Sequence, residues 1–524
     1  MPRYEYKPFP YKKAPELEGK SVKNYPVVVV GAGPVGLSAA IDLALHGIRC
    51  VVLDENDVVS VGSRAICWSK RSLEIFDRLG VGEKMVEKGV SWKTGRVYIG
   101  TEEIYSFDLL PEEGHKMPAF INLQQYFVEQ YLVERAGDFP DLLDIRWNNK
   151  VTDLKQDGKS VTLDVDTPDG NYTINSEYAL ACDGAHSFIR NRMGLSFEGK
   201  SFEERFLIAD VEIQTEFPSE RRFWFNPPWN PEYSCLLHKQ ADNIYRIDLQ
   251  LGREADPEKE KKPENVIPRL KRMLGDIPFE LDWVSVYMFR CCRMERFIHG
   301  NIIFVGDSAH IVSPFGARGG NGGIQDADNL CWKLARVLKG QSGRNLLETY
   351  HEERSHAADE NLMHSARTTT FMSPVSQTEH YFRDAVLNLA SDLPFARRFV
   401  NSGRLSTPCD LRGKSRITAS GETKGLQPGD VCPDAPLDED KWLLNEIGGD
   451  FSLLRVGSHP PEVSGLRRIA IGDFPGGRVD QQGTAAWRFK VGPVYLIRPD
   501  QHIAAKFEND DPKKIAQALE LASH

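Results

Sequence analysis

Acids at the ends of apolar runs and glycines at fixed spacing are the residues of this chain whose types could do chemistry. In residues 301–329 (NIIFVGDSAHIVSPFGARGGNGGIQDADN) an apolar run, 302–305, halts at Gly306-Asp307 and reads as a strand delivering an acid. A turn rich in Gly316, Gly319, Gly320, Gly322 and Gly323 follows. A helical period then begins at Ile324 and continues through Ala327, Cys331, Leu334 and Leu338, ending near Gly340. Bare amides and the positive end of a helix dipole would face the space beside Asp307, which makes the stretch anion-friendly. A Gly-rich surface turn is the plain alternative.

A second set lies near the start. Residues 27–30 are four consecutive valines, as expected of a parallel strand buried on both faces. GAGPVG follows, with Gly31, Gly33 and Gly36 in G-x-G-x-x-G spacing around Pro34 and Val35. The next helix carries Leu37, Ile41, Ala44 and Leu45 and stops at Gly47; a strand at 50–53 then delivers Asp54, with Glu55 beside it. Gly31 allows a tight turn, Gly33 admits a pyrophosphate, Gly36 lets helix pack on strand, and an acid about 20 residues on accepts ribose hydroxyls. With every part in register this is a dinucleotide site; Asp54 stands at the strand end and Glu55 is the reserve acid.

A third set is YRIDLQ, where a period of two puts Arg246, Asp248 and Gln250 on one face and Tyr245, Ile247 and Leu249 on the other. It sits among short alternating runs between about 205 and 286, broken by NPPWNPEY, which read as an antiparallel substrate sheet inserted into the cofactor domain.

The elements that position these sets must come from a chain of 524 residues, long enough for about three domains. Hydrophobic content of 41% and charged content of 27% are those of an ordinary globular chain, and a net charge of −10 argues against nucleic acid or an anionic membrane as partner. The apolar stretch 27–48 could be taken for a membrane span, but Asp42, His46 and three glycines disfavour that. Nine cysteines without C-x-x-C or metal spacing read as reduced thiols of a cytoplasmic protein, the vicinal Cys291-Cys292 pair included. No G-x-S-x-G elbow supports a serine hydrolase, and the thirteen histidines show no pair at ligand spacing, so no metal is expected. The first twenty residues lack an apolar core and read as an extended arm rather than a signal peptide.

After the run 173–180 comes ACDGAHSFIR, in which Asp183-Gly184 closes a strand and Ser187 and Arg190 open the next segment. DG-x-x-S-x-x-R, G-x-G-x-x-G with its distal acid, and GD-S-A-H before a Gly-rich helix start together resemble the three fingerprints of the class A flavoprotein aromatic hydroxylases. That group includes the para-hydroxybenzoate, phenol and 3-(3-hydroxyphenyl)propionate hydroxylases. The resemblance covers about residues 25–400 and extends more weakly to the C-terminus. It implies an FAD-dependent monooxygenase that takes NAD(P)H as a transient co-substrate and O2, and hydroxylates a phenolic or related aromatic substrate through a flavin C4a-hydroperoxide. A flavin-dependent halogenase, or another FAD oxidoreductase of the same fold, is the competing reading, although no W-x-W-x-I-P run is present.

The resemblance also implies roles. Asp307, after Gly306, matches the ligand of the ribityl hydroxyls. Gly319, Gly320 and Asn321 fall where backbone amides meet the flavin N1–C2 carbonyl edge. Arg64 matches an arginine near the pyrophosphate, and Gln125, with Gln124 as its rival, a glutamine contacting the cofactor. Asp183 is associated with flavin and pyridine-nucleotide handling, and Pro314 with a carbonyl approaching the substrate ring. His310 is expected to support the loop from behind. Two departures stand out: Asp248 occupies the place of the family's substrate tyrosine, and Ile66 that of an aspartate base. Asp248, or His238 one strand away, could accept the substrate's hydroxyl proton; a structural ion pair of Asp248 with Arg246 is the alternative.

The fold expected is α/β: a Rossmann-like FAD-binding domain with an inserted antiparallel substrate sheet and a thioredoxin-like C-terminal domain lacking C-x-x-C. The boundaries expected are an arm at 1–24, the FAD domain at 25–204 and 289–400 around a substrate sheet at 205–288, a linker at 401–428, and the C-terminal domain at 429–524. The long helices from about 347 to 400 and the C-terminal unit are surfaces on which a homodimer could form.

Overall fold

The computed structural model describes residues 4–19, 24–215, 217–400, 407–414, 425–438 and 440–524. The arm and the linker expected at 401–428 therefore lie partly outside the described residues. The architecture is mixed α/β.

Its first layer is a parallel sheet. The valine-rich strand Asn24–Val30 lies between Gly170–Ala181 and Cys50–Leu53, with Ile302–Phe304 beyond the former and Leu143–Arg146 beyond the latter, all parallel. Residues buried on both faces need no alternation, which is why residues 27–30, Cys50–Leu53 and Ile302–Phe304 read as unbroken apolar runs. Helices Pro34–Leu45 and Gly319–Leu338 cover it, and Val28, Leu37, Ile41, Leu180, Ile303, Ile324 and Leu334 share one core.

The second sheet has eight strands. Glu198–Ile213 pairs antiparallel with Phe279–Arg293 and with Ile244–Leu251; Ser234–Lys239 and Arg221–Phe225 continue it. Beyond them the sheet takes in Thr94–Ile99, parallel to Arg221–Phe225, and then Glu102–Asp108. These last two strands come from the segment expected to be purely cofactor-binding. Their pairing joins positions more than a hundred residues apart, which local periodicity does not encode. One face of the sheet packs Leu207, Ala209, Ile247 and Leu249 under Val266, Leu270 and Leu274 of the helix Pro263–Leu274. The other face, carrying Phe206, Phe223, Phe225 and Leu236, packs with Phe315, Met372 and Leu387.

After the helices Asn345–Met372, Gln377–Ala390 and Pro394–Val400 the chain forms a smaller unit. Its four strands run in the order Arg467–Ile471, Ser452–Val456, Val494–Ile497, Ile503–Phe507, and the helix Pro512–Ser523 is capped by the Asp511 carboxylate. The turn between its last two strands packs into the helices Gly319–Leu338 and Asn345–Met372. Arg498 donates to both oxygens of Glu353 at 2.8 Å, Lys333 donates to Glu353 at 2.8 Å, and Arg71 bridges Asp328, the Asp500 carbonyl and Gln501. Arg78 completes the set on Asp42 and Asp328. Arg71, Arg78, Lys333 and Arg498 thus face Asp42, Asp328, Glu353 and Asp500, four charges of each sign in a buried seam. Burial lowers the Lys333 ammonium to about 8, and its neighbours Glu353 and Asp500 act against that, favouring its charge.

Removing one member of such a seam strands its partners without water. Arg498→Met is expected to cost about 3–5 kcal/mol of stability, read as a lowered thermal midpoint at fixed scan rate. A midpoint equal to that of the parent would show that the seam contributes nothing net.

Candidate active site

The G-x-G-x-x-G loop is built as its spacing requires. Gly31 has φ +107°, and a Cβ there would collide with the Cys182 carbonyl; a Cβ on Gly36 would collide with the carbonyl of Gly31. Gly33 faces open space, with nothing within 4 Å of where its Cβ would stand. Asp54 accepts from the amide of Ala32 at 2.6 Å and from Asn56, so the acid holds the loop from the end of the second strand. Glu55, the reserve acid, turns away to Lys150 at 2.9 Å, both largely exposed.

The segment Ser60–Ala65 crosses in front of this loop and is pinned from the helix Gln125–Ala136. Gln125 accepts from the amide of Ala65 and donates to Glu129, whose carboxylate takes the amide and hydroxyl of Ser60. Gln124 is fully buried and donates to the Ala241 carbonyl, away from this segment. Arg64 has φ +42°, an uncommon backbone for a branched-off side chain, and its guanidinium is exposed. Val35 and Pro34 open the first helix, with Val35 packed against Gly306 and Gly323.

The loop after Ile302–Phe304 depends on one buried carboxylate. Asp326, on the helix Gly319–Leu338, accepts from the amide of Gly306 at 3.1 Å, from His310 Nε2 at 2.6 Å and from Arg354 Nε at 2.6 Å. Burial pushes its pKa up, but His310 and Arg354 outweigh that and hold it down at about 2. His310 is therefore a support of the loop. Arg190 ties in the third fingerprint by donating to the carbonyls of Ser308 and Ala185. With the loop so fixed, Asp307 stands deep in the molecule with its surface open to the cleft and no hydrogen-bond partner among the described residues. Burial raises its pKa. Asp183 takes the amide of Ile189 with one oxygen, and the other, buried, has no partner.

The helix start beside Asp307 has no side-chain cap, so the first-turn amides at Gly319, Gly320 and Asn321 lack intrahelical acceptors. The Asn321 side chain is occupied: its oxygen accepts from Ser69 and its amide donates to Cys67 and Ala317 carbonyls, which locks the strand Cys67–Ser69 against the helix. Open space at Gly33, an unpartnered Asp307, one unpartnered oxygen on Asp183, and uncapped amides fit an elongated ligand with a pyrophosphate, a polyol and an electron-rich ring edge. Those are the parts of FAD.

Across the cleft, directly opposed residues of the second sheet share a face. One row reads Gly95, Arg221, His238, Arg246, Asp210, Trp283; the next reads Val97, Phe223, Leu236, Asp248, Ile208, Ser285. Arg246 pairs with Asp210 at 3.0 Å and donates to the Arg64 carbonyl at 2.7 Å and to the Ser63 hydroxyl, which also bonds Asp210. The expected alternative, an Arg246–Asp248 ion pair, is not formed. Asp248 Oδ1 is buried without a partner, and burial, eased by Arg246, raises its carboxyl to about 6. Gln250 is held by Ser234 and Ser373. Ile66 is buried, and the Pro314 carbonyl accepts the amide of Ala317 at 3.0 Å within its own turn, beside Phe315.

The residues that organise the site but escaped the sequence are Asp326, Arg354 and Asp210. The usable signal was acids placed inside otherwise buried helices and strands. Away from the cleft, His356, Glu360 and Cys409 bring potential ligand atoms within 4.8 Å of one another, and the Cys409 thiol donates to Glu360 at 3.0 Å.

Residues 24–365 match the family model described as FAD binding domain. A flavin-dependent monooxygenase of Mycobacteroides abscessus is 27% identical over 510 residues, covering 92% of this chain and 97% of that protein. A 3-(3-hydroxy-phenyl)propionate/3-hydroxycinnamic acid hydroxylase of Mycolicibacterium smegmatis is 28% identical over 445 residues, covering 84% and 78%. Among solved structures, the flavin-dependent monooxygenase PieE in complex with FAD and substrate superposes with a TM-score of 0.79 at 21% identity, over 96% of this chain and 98% of that one. The p-nitrophenol 4-monooxygenase PnpA of Pseudomonas putida DLL-E4 gives 0.65 at 26% identity, over 73% and 98%.

Asp326→Asn keeps the size of the side chain and removes the charge that His310 and Arg354 surround. The variant is expected to lose stability by about 3 kcal/mol or more and to retain less FAD through purification. The parent carboxylate's own contribution is present above pH 3.8 and is lost as the pH falls through about 2, because its folded pKa lies below its ordinary one. A variant with unchanged melting and full flavin content would remove Asp326 from this role.

Proposed function

We propose, on the premise that this chain belongs to the FAD-binding family of flavoprotein aromatic hydroxylases, that it uses NAD(P)H and O2 to hydroxylate a phenolic or related aromatic substrate. The observation that carries the reading is the unpartnered Asp248 carboxyl on a sheet face of phenylalanines, across the cleft from the uncapped helix start and Asp307.

The glycine loop at Gly31, Gly33 and Gly36 with Asp54, the Asp307 carboxylate, and the uncapped amides at Gly320 and Asn321 would hold FAD. Bound there, it supplies the hydride-accepting and oxygen-activating chemistry. The helix dipole stabilises negative charge at the ring edge. Arg246 acts as a positioning residue: through Asp210, Ser63 and the Arg64 carbonyl it fixes the segment that carries Arg64 against the substrate sheet. Phe206, Phe223, Phe225 and Phe315, packed on one another, form an apolar wall that keeps water out. Asp248 accepts the proton of the substrate's hydroxyl, which makes the ring carbons ortho and para to it more electron-rich. NAD(P)H needs no second Rossmann fingerprint in this scheme, since it visits and leaves.

The same reading treats residues 25–204 and 289–400 as one flavin domain around the substrate sheet at 205–288, to which the strands at 94–108 are added. Residues 429–524 form a thioredoxin-like unit. Cys432 is buried and burial raises its thiol pKa, so the unit serves in packing rather than disulfide exchange. A homodimer is supported by the exposed Tyr381, Phe382, Leu389, Leu393, Phe395 and Phe399 on neighbouring helices. Sedimentation velocity is expected to show a dimer that Phe382→Asp dissociates; a monomeric parent protein would sink this assignment.

The chemical assignment is tested by single-turnover hydroxylation with 18O2, product mass being scored over a range of pH. The rate is expected to rise as the pH passes about 6, where the Asp248 carboxylate forms, and Asp248→Asn is expected to abolish that limb and slow the step by about 10²–10⁴-fold. An unchanged rate and profile in the variant would show that Asp248 is not the proton acceptor.

A further inference from the structure

One cation on the substrate-facing sheet is left over. Arg221 opens the strand Arg221–Phe225 and lies opposite His238, which lies opposite Arg246, so the three share one row and one face. Arg246 is fully engaged with Asp210, Ser63 and the Arg64 carbonyl. His238 is neutral, since burial and then the neighbouring Arg221 and Arg246 depress its pKa well below the ordinary value, and its Nδ1 is buried without a partner. Its exposure is 4%.

Arg221 itself has no hydrogen-bond, ion-pair or ring partner among the described residues. It is enclosed by protein on all sides, yet part of its surface opens on unfilled space. The groups whose charge it feels are the Cys67 thiol and the Asp248 carboxyl. Neither pairs with it. Cys67 donates to Asn122 at 3.2 Å and, being buried, keeps its proton, its pKa pushed up to about 11. Arg222, the next residue, shows the contrast: on the opposite face, it is paired with Glu220. A buried charge without a partner is costly, and native proteins rarely keep one unless something else supplies the counter-charge. Asp307 carries the same signature, deep, open to the cleft and unpartnered, and there a ligand explains it.

We propose that Arg221 is the anchor for a carboxylate on the substrate, so that the chain acts on aromatic acids in preference to neutral phenols; this rests on the hydroxylase reading above. A planar guanidinium with five donors matches the two oxygens of a carboxylate. The side chains lying between Arg221 and Asp248 on this face are Phe223 and Leu236. The two backbones are two strands and one pleat repeat apart, about 12 Å by ordinary sheet spacings. An acid held at Arg221 therefore lays its ring over Phe223 and Leu236 and presents its far end to Asp248. His238, neutral and with a free ring nitrogen beside the anchor, supplies a second polar contact without adding a competing charge.

The test uses the FAD-loaded protein and hydroxylated phenylpropionates, cinnamates and benzoates, each beside its own methyl ester, with binding read from the perturbed visible spectrum of the flavin. The acids are expected to bind more tightly than their esters. In Arg221→Met the acid-to-ester ratio of dissociation constants is expected to collapse by about 30-fold or more, and Arg221→Lys is expected to recover part of it; FAD content reports that both variants fold. A ratio unchanged in Arg221→Met, esters that bind as well as acids to the parent, or no acid binding at all overturns the proposal. The two readings separate in the same experiment. Should the esters alone be hydroxylated, the anchor is wrong and the hydroxylase stands. Should no oxygen-labelled product form from any pair, the hydroxylase reading fails, while the binding ratio still decides Arg221.

Discussion

The Asp326 carboxylate joins the two pieces of chain between which the cofactor cleft opens. Through one oxygen it holds the Gly306 amide and His310, and through the other Arg354, so that the loop after the strand Ile302–Phe304 and the start of the helix Gly319–Leu338 cannot move independently. Much of the site follows from that constraint. Gly306, which lacks a Cβ, keeps its positive φ with its amide satisfied, Asp307 is turned outward into the cleft, and no side chain caps the helix amides at 319 and 320. The neighbouring Asn321 then fixes the strand Cys67–Ser69, and with it the segment carrying Arg64.

The substrate sheet solves a different problem, that of placing charge in a dry interior. On one face it is mostly apolar and covered by a helix, with Arg96 and Arg222 paired to Glu220 at its edge; on the other, charged groups are allotted among phenylalanines. Arg246 and Asp210 neutralise each other and clamp the flavin-side segment, so they are structural in consequence though they stand beside the chemistry. Asp248 and Arg221 are left without partners. A pair of opposite charges separated along one face, with aromatic surface between, is a template for a molecule polar at both ends and flat in the middle.

Local features were readable from the sequence because their physics is local. The valine run, the GAGPVG turn and Asp54 lie within thirty residues, and a glycine that must let helix touch strand betrays itself by its spacing. The strand run YRIDLQ assigned its two faces correctly by a period of two, as the register of Ile244–Leu251 bears out. What could not be read depends on long-range pairing. Arg246 meets Asp210 from a different strand and Ser63 from a different domain, so proximity in sequence suggested Asp248 instead. Thr94–Ile99 joins the sheet beside Arg221–Phe225 for the same reason, and Arg221 acquires its isolation only once that neighbourhood is assembled. Asp326 looked like one polar residue among several on a helix; its importance comes from Gly306, His310 and Arg354 converging on it.

The seam at Arg498 has a consequence for descent. Four positive and four negative side chains, drawn from Asp42, Arg71, Arg78, Asp328, Lys333, Glu353, Arg498 and Asp500, are scattered over most of the polypeptide yet share one dry compartment. No single substitution among them that removes a charge leaves the tally even, so such a change calls for a compensating one. Recombination that trades the C-terminal unit for a cousin's would import half of a lock without its key, and the two ends of the gene are thereby obliged to be inherited together.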